Sequence, residues 1–165
     1  MHPEKPIFQV LQPGCNPEFG DPFSAGIDLK VFSISSIGDQ DLRPNVASDG
    51  SIYWVLEPGR HFEFDFGVKV FLPEGSVGFI CSRSSIRLNG LYFYGVIDIG
   101  YHEPLRCTAF MVPDAKPLKI CKYQPVAQIV VAQLHPRVWD SQVVRKIKSD
   151  IFYNRGGGTG STNHS

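Results

Sequence analysis

The sequence predicts an all-β domain, a barrel, sandwich or jelly roll, on three observations. Glycine and proline are abundant and spread throughout, 16 and 13 of 165 residues, which disfavours long helices. Short runs of β-branched and aromatic residues recur, each bounded by turn residues. With 42% apolar residues, the chain can bury one hydrophobic core, but it is too short for two comfortable domains.

The expected strands run in order. Ile7–Leu11 is the first, then Ile27–Phe32, Ser51–Leu56, Phe62–Phe66 and Val68–Leu72. Val77–Cys81, Leu105–Val112 and Ala127–Leu134 follow. Turns are expected at Glu57-Pro58-Gly59, Pro73-Glu74-Gly75 and Asn89-Gly90. The polar segment Ser35–Gly50 reads as a loop insertion. Residues 1–150 are expected to form the β domain, and residues 151–165 a mobile glycine-rich arm with nothing to anchor it in a core.

Charge narrows the function classes. Sixteen Lys plus Arg balance sixteen Asp plus Glu, so no field draws the chain to polymeric nucleic acid or to a membrane surface. Any phosphate binding must come from locally placed cations. Neither a signal pattern nor an apolar run long enough to span a bilayer is present in the sequence, and a cytoplasmic location is expected, or the host cytoplasm or nucleus if the chain is viral. Cys15, Cys81, Cys107 and Cys121 are scattered, which suits reduced, mostly buried thiols better than a disulfide scaffold or a zinc site.

Four features carry chemistry. Ser82-Arg83-Ser84-Ser85 closes an expected strand; a guanidinium followed by two hydroxyls suits a phosphate, although alone it reads more simply as a strand-end turn. Gly95-Val96-Ile97-Asp98-Ile99-Gly100-Tyr101 places a carboxylate after an apolar run, where it can take a proton from water or make an Asx turn. Gln128 enters an apolar strand, as a solvent-facing residue or an amide donor to phosphate. The tail from Arg155 through Gly157, Gly158, Ser161 and Thr162 has the makings of a flexible anion clamp, or of a low-complexity end.

Taken in order, these motifs resemble the five motifs of the trimeric dUTPase family. The first is Ala25-Gly26-Ile27-Asp28-Leu29. The second is Arg83-Ser84-Ser85, with Ser82 where the family often has proline. Gly95-Val96-Ile97-Asp98 is the third and Val126-Ala127-Gln128-Ile129 the fourth. The fifth runs from Arg155-Gly156 to Gly160-Ser161-Thr162. The resemblance implies a jelly-roll-like fold, a homotrimer with shared active sites, and hydrolysis of a deoxynucleoside triphosphate, dUTP by first choice, to the monophosphate and pyrophosphate. It implies Asp98 as the base that activates water. It implies Arg83, Ser84, Ser85, Gln128, Arg155, Gly157, Gly158, Ser161 and Thr162 as phosphate ligands. Mg²⁺ on the triphosphate is the implied cofactor, with Asp28 reaching it through water. Asn89, Gly95, Val96, Ile97 and Tyr101 are the implied base and sugar contacts, Tyr101 packing on the deoxyribose.

Three departures stand out, the first two concerning the base and the third milder. The span from Arg83 to Asp98, which forms a uracil-reading hairpin in the family, is short and carries Tyr92-Phe93-Tyr94. Thr159 stands where the family has a stacking aromatic, and Gly100 where aspartate is common. Altered pyrimidine specificity is therefore one alternative, and a non-catalytic regulatory protein of the same fold another. The related dCTP deaminases are disfavoured: Thr108 replaces their proton-shuttling glutamate, and Arg87 comes one residue early for their extra arginine.

Overall fold

A computed structural model describes residues 3–38 and 41–135. Its strands are β1 (Ile7–Val10), β2 (Glu18–Phe19), β3 (Ile27–Lys30), β4 (Ser33–Ser36), β5 (Asn45–Val46), β6 (Ile52–Leu56) and β7 (His61–Asp65). After them come β8 (Val68–Phe71), β9 (Ser76–Ser82), one helical turn α1 (Ser84–Leu88), β10 (Leu91–Ile97), β11 (Arg106–Met111), β12 (Leu118–Cys121) and β13 (Pro125–Gln133). Eight strands form one sheet in the order β2-β3-β13-β9-β10-β11-β7-β4, accompanied by the pair β1-β8 and the three-stranded sheet β12-β6-β5. Every pairing is antiparallel. The all-β expectation holds, and α1, five residues long, is the one α-helix among the described residues.

Alternation builds the core. In β7, Phe62 and Phe64 point inward while His61, Glu63 and Asp65 do not. Phe64 meets Phe93 of β10 edge to face, ring centroids 4.6 Å apart. Each such buried phenylalanine contributes about 1.5–3 kcal/mol by leaving water. Ile80, Ile97 and Ile129 carry the core across β9, β10 and β13. The turns at 57–59 and 73–75 join β6 to β7 and β8 to β9, with Gly59 and Gly75 at φ 76° and 72°, where side chains are strained.

One expectation needs correction. Ser35–Gly50 is not wholly loop: Ser35 and Ser36 finish β4, which pairs with β7, and Asn45–Val46 pair with β6. These pieces are short and polar, so they lacked the alternation by which strands are recognised. Leu91–Ile97, within the span from Arg83 to Asp98, is one uninterrupted strand that pairs antiparallel with both of its sequence neighbours. Its first half pairs with β11 (Leu91 opposite Met111) and its second with β9 (Ile97 opposite Gly78).

All four cysteines are free. Burial pushes the Cys107 thiol up to about 12 and raises Cys15 as well. No helix among the described residues is long and apolar enough to cross a membrane.

Candidate active site

Three neighbouring strands set the floor of a polar cleft. Asp28 of β3 lies opposite Gln128 of β13, which lies opposite Cys81 of β9, so the three side chains share one face. One residue on, Ser82 pairs with Ala127, and the chain leaves the strand at Arg83, whose N–H donates to the Val126 carbonyl at 3.1 Å. α1 starts immediately, presenting Ser84 and Ser85.

The Arg83 guanidinium turns back onto Asp28, Nε to Oδ1 3.1 Å. The Asp28 side chain is only 11% exposed and that of Arg83 35%. A carboxylate so buried needs a cationic partner, and Arg83 supplies one while keeping further N–H donors for an anion. Gly26 makes room: a methyl there would collide with Gln128 Oε1 and lie 2.9 Å from its Cβ and Cδ. Glycine at this point of the first motif therefore lets the Gln128 amide lie across β3.

The cleft measures about 370 Å³ and is lined by Gly20, Asp21, Ser24, Asp28, Arg83, Ser84, Ser85 and Gln128. The structure thus brings together five residues singled out in the sequence: Asp28, Arg83, Ser84, Ser85 and Gln128. It adds a loop that was missed. Asp21 Oδ1 accepts from the Phe23 N–H at 2.7 Å, and Ser24 Oγ from the Asp21 N–H at 3.1 Å. Asp-Pro at 21–22 was the available signal, since aspartate before proline initiates turns.

Asp98 lies outside this cleft. It follows Ile97, opposite Gly78 at the far end of β9, exposed, in a turn closed by the Tyr101 N–H on its carbonyl at 3.0 Å. Five residues of extended strand separate Gly78 from Arg83, roughly 16 Å. The remaining base and sugar candidates have local partners. Asn89 Nδ2 donates to the Ser85 carbonyl at 2.7 Å. Gly95 packs close to Cys107 Sγ, Ile97 is buried and Val96 exposed. Tyr101 donates its hydroxyl to the Pro104 carbonyl at 3.0 Å, and burial raises its pKa. Arg155, Gly157, Gly158, Thr159, Ser161 and Thr162, with the whole 151–165 arm, lie outside the described residues.

Between cleft and Asp98 the same sheet face is apolar. Val96 stands opposite Phe79, and Phe79 opposite Val130. Phe79, Tyr94 and Val96 are 41%, 80% and 49% exposed, a larger contiguous apolar patch than isolated surface residues would make.

As for metal, no group of three or more His, Cys, Asp or Glu among the described residues forms a cage. Mg²⁺ takes few protein ligands and favours phosphate oxygens and waters. The Asp21 and Asp28 carboxylates in a polar cleft therefore fit an ion that arrives with a polyphosphate.

Comparison with known proteins agrees with this geometry. The dUTPase family model matches residues 51–162. The deoxyuridine 5'-triphosphate nucleotidohydrolase of Escherichia phage T5 is 27% identical over 158 residues, covering 93% of this chain and 95% of that protein. Its namesake in Leifsonia xyli is 32% identical over 80 residues, 46% of this chain and 53% of that protein, so this match spans about half of the relative. Among solved structures, the dUTPase of Staphylococcus bacteriophage 80alpha superposes with TM-score 0.60 at 21% identity, over 79% of this chain and 91% of that one. A mutant dUTPase of phage phi11 of S. aureus, described with a structural Mg(II) ion, gives TM-score 0.58 at 20% identity, over 79% and 92%. The chain belongs to the dUTPase family.

Proposed function

We propose that the protein hydrolyses dUTP to dUMP and pyrophosphate, with Mg²⁺ on the triphosphate. The observation that carries this reading is the single cleft holding Arg83, Ser84, Ser85 and Gln128 beside the buried Asp28. One guanidinium, two hydroxyls and an amide are the donor set a polyphosphate needs.

Asp98 orients and deprotonates the water that attacks the α-phosphorus, and pyrophosphate leaves. Arg83, Ser84, Ser85 and Gln128 hold the phosphates in line and offset the charge that moves toward the leaving group. Mg²⁺, when bound, neutralises phosphate charge, and Asp28 holds water toward it. The Tyr101 ring packs on the deoxyribose, its hydroxyl already occupied by Pro104. Arg155, with Gly157, Gly158, Ser161 and Thr162, closes on the terminal phosphates and excludes bulk water.

Since Asp98 and Arg83 stand at opposite ends of β9, one chain does not bring both to one substrate. The reading therefore includes a homotrimer with shared sites. The apolar face around Phe79, Tyr94 and Val96 is the surface on which a second copy seats, delivering its Asp98 to the first copy's cleft. A cytoplasmic location accords with free thiols.

The short span from Arg83 to Asp98, with Tyr92-Phe93-Tyr94, favours one second reading, a pyrophosphatase with altered pyrimidine preference. A hydrolysis panel with Mg²⁺ and dUTP, dTTP, dCTP, dATP, dGTP and UTP tests both. Turnover of dUTP alone supports the first reading, and turnover spread over pyrimidines the second. Absence of any turnover refutes both.

A further inference from the structure

Ser82 sits where β9 and β10 part. The two strands are paired as far as Cys81 opposite Tyr94; beyond that point β10 pairs with β11 instead, Phe93 opposite Ala109 and Leu91 opposite Met111. The Ser82 hydroxyl spans the gap. It donates to the Leu91 carbonyl at 2.9 Å and accepts from the Phe93 N–H at 2.8 Å. One side chain thus satisfies two backbone groups that lose ladder partners as the strands diverge. Leu91 and Phe93 are buried, 0% and 4% exposed, so water does not readily take its place. On the other flank the next residue, Arg83, is tied through its N–H to Val126 of β13. The turn that carries Arg83, Ser84 and Ser85 is therefore pinned on two sides, to β13 by backbone and to β10 by this hydroxyl.

We propose that Ser82 is a positioning residue for the phosphate-binding turn: its bridge to Leu91 and Phe93 sets where Arg83, Ser84 and Ser85 stand over the cleft. This rests on the reading of the cleft as a triphosphate site. Only a hydroxyl side chain at this position both donates to the Leu91 carbonyl and accepts from the Phe93 N–H. Displacing a positioned group by about 1 Å can cost about 10²-fold in rate, and loss of the bridge frees the turn on one side only.

The experiment compares Ser82→Ala and Ser82→Thr with the unaltered protein. Steady-state kinetics with dUTP give kcat and KM, and calorimetry gives the affinity for inorganic tripolyphosphate. For Ser82→Ala, KM is expected to rise about tenfold, as one interaction with the phosphates is misaligned, and tripolyphosphate affinity to weaken in step. Ser82→Thr keeps the hydroxyl and restores both. A purely structural role would lower the melting temperature of Ser82→Ala while leaving KM and tripolyphosphate affinity of the folded protein unchanged; that result overturns the proposal. So does a threonine variant as impaired as the alanine one. If Ser82→Ala does not fold, Ser82→Val matches the shape of the threonine variant without its hydroxyl, and an unaltered KM in that variant overturns the proposal equally. Failure of the enclosing reading is separable. An unaltered protein that turns over no dUTP removes that reading, while tripolyphosphate affinity still reports on Ser82.

Discussion

At the Arg83 end of β9, a buried carboxylate, a guanidinium, two serines and an amide converge within one chain. At the Gly78 end, β10 delivers Asp98 to an exposed turn outside that cleft. The first region is organised by tertiary structure: strand register aligns Asp28 with Gln128, and an ion pair holds Arg83. The second is a strand end on the margin of an apolar face. What the contrast teaches is that, under the function proposed above, binding and chemistry are separable in this fold: a chain folded alone presents the cleft, and a neighbour supplies the base.

The comparison is tested most sharply by Asp98→Asn. It is expected to lower kcat by about 10²–10⁴-fold, the worth of a positioned general base, while a non-hydrolysable dUTP analogue still binds in calorimetry. Parallel loss of binding would place Asp98 in the cleft instead. Next is subunit mixing. Arg83→Ala and Asp98→Asn chains, each nearly inactive, should regain about one quarter of full activity when denatured and refolded together at equal amounts, since random assembly then yields some intact shared sites. No recovery would mean that each chain works alone. Gly26→Ala is expected to raise KM about tenfold by displacing the Gln128 amide, with kcat little changed; steady-state kinetics read the split.

The smallest effect concerns stability. Burial raises the folded Cys107 pKa from 9.0 to about 12, so the neutral thiol is favoured in the folded state. That contribution is fully present below pH 9 and is lost as pH rises through the window from 9 to about 12. Thermal melts should show a decline there, shallower in Cys107→Ala. An identical slope would mean that other groups govern alkaline unfolding.

Much of the fold was legible because it rests on alternation. Phe62–Phe66 writes its inner face in the sequence, whereas the apolar run Val77–Cys81 marks a strand without its facing, since Phe79 is exposed and Ile80 buried. β12 was not recognised, although Ile120 is fully buried, because it is only four residues long and lies among lysines. β4 and β5 are short and polar for the same result. In the site, Arg83, Ser84, Ser85, Gln128 and Asp28 were found by motif, and their convergence follows from register. Asp21 and Ser24 were missed because a turn's hydrogen bonds, unlike a strand's pattern, have no periodicity. The change of partner midway along β10, from β11 to β9, was not legible because it happens without a turn.

Placing Arg83 and Asp98 at opposite ends of β9 also bears on dominance. If each site draws these two groups from different chains, a chain defective in one of them spoils a single site of its assembly. Activity then falls in simple proportion as defective copies accumulate beside sound ones. A chain defective in both spoils two sites, its own cleft and its neighbour's, so activity falls as the square of the sound fraction. The same two lesions then cost a mixed population equally whether they sit on one gene copy or on separate copies, because each site samples its cleft and its base from the mixture independently.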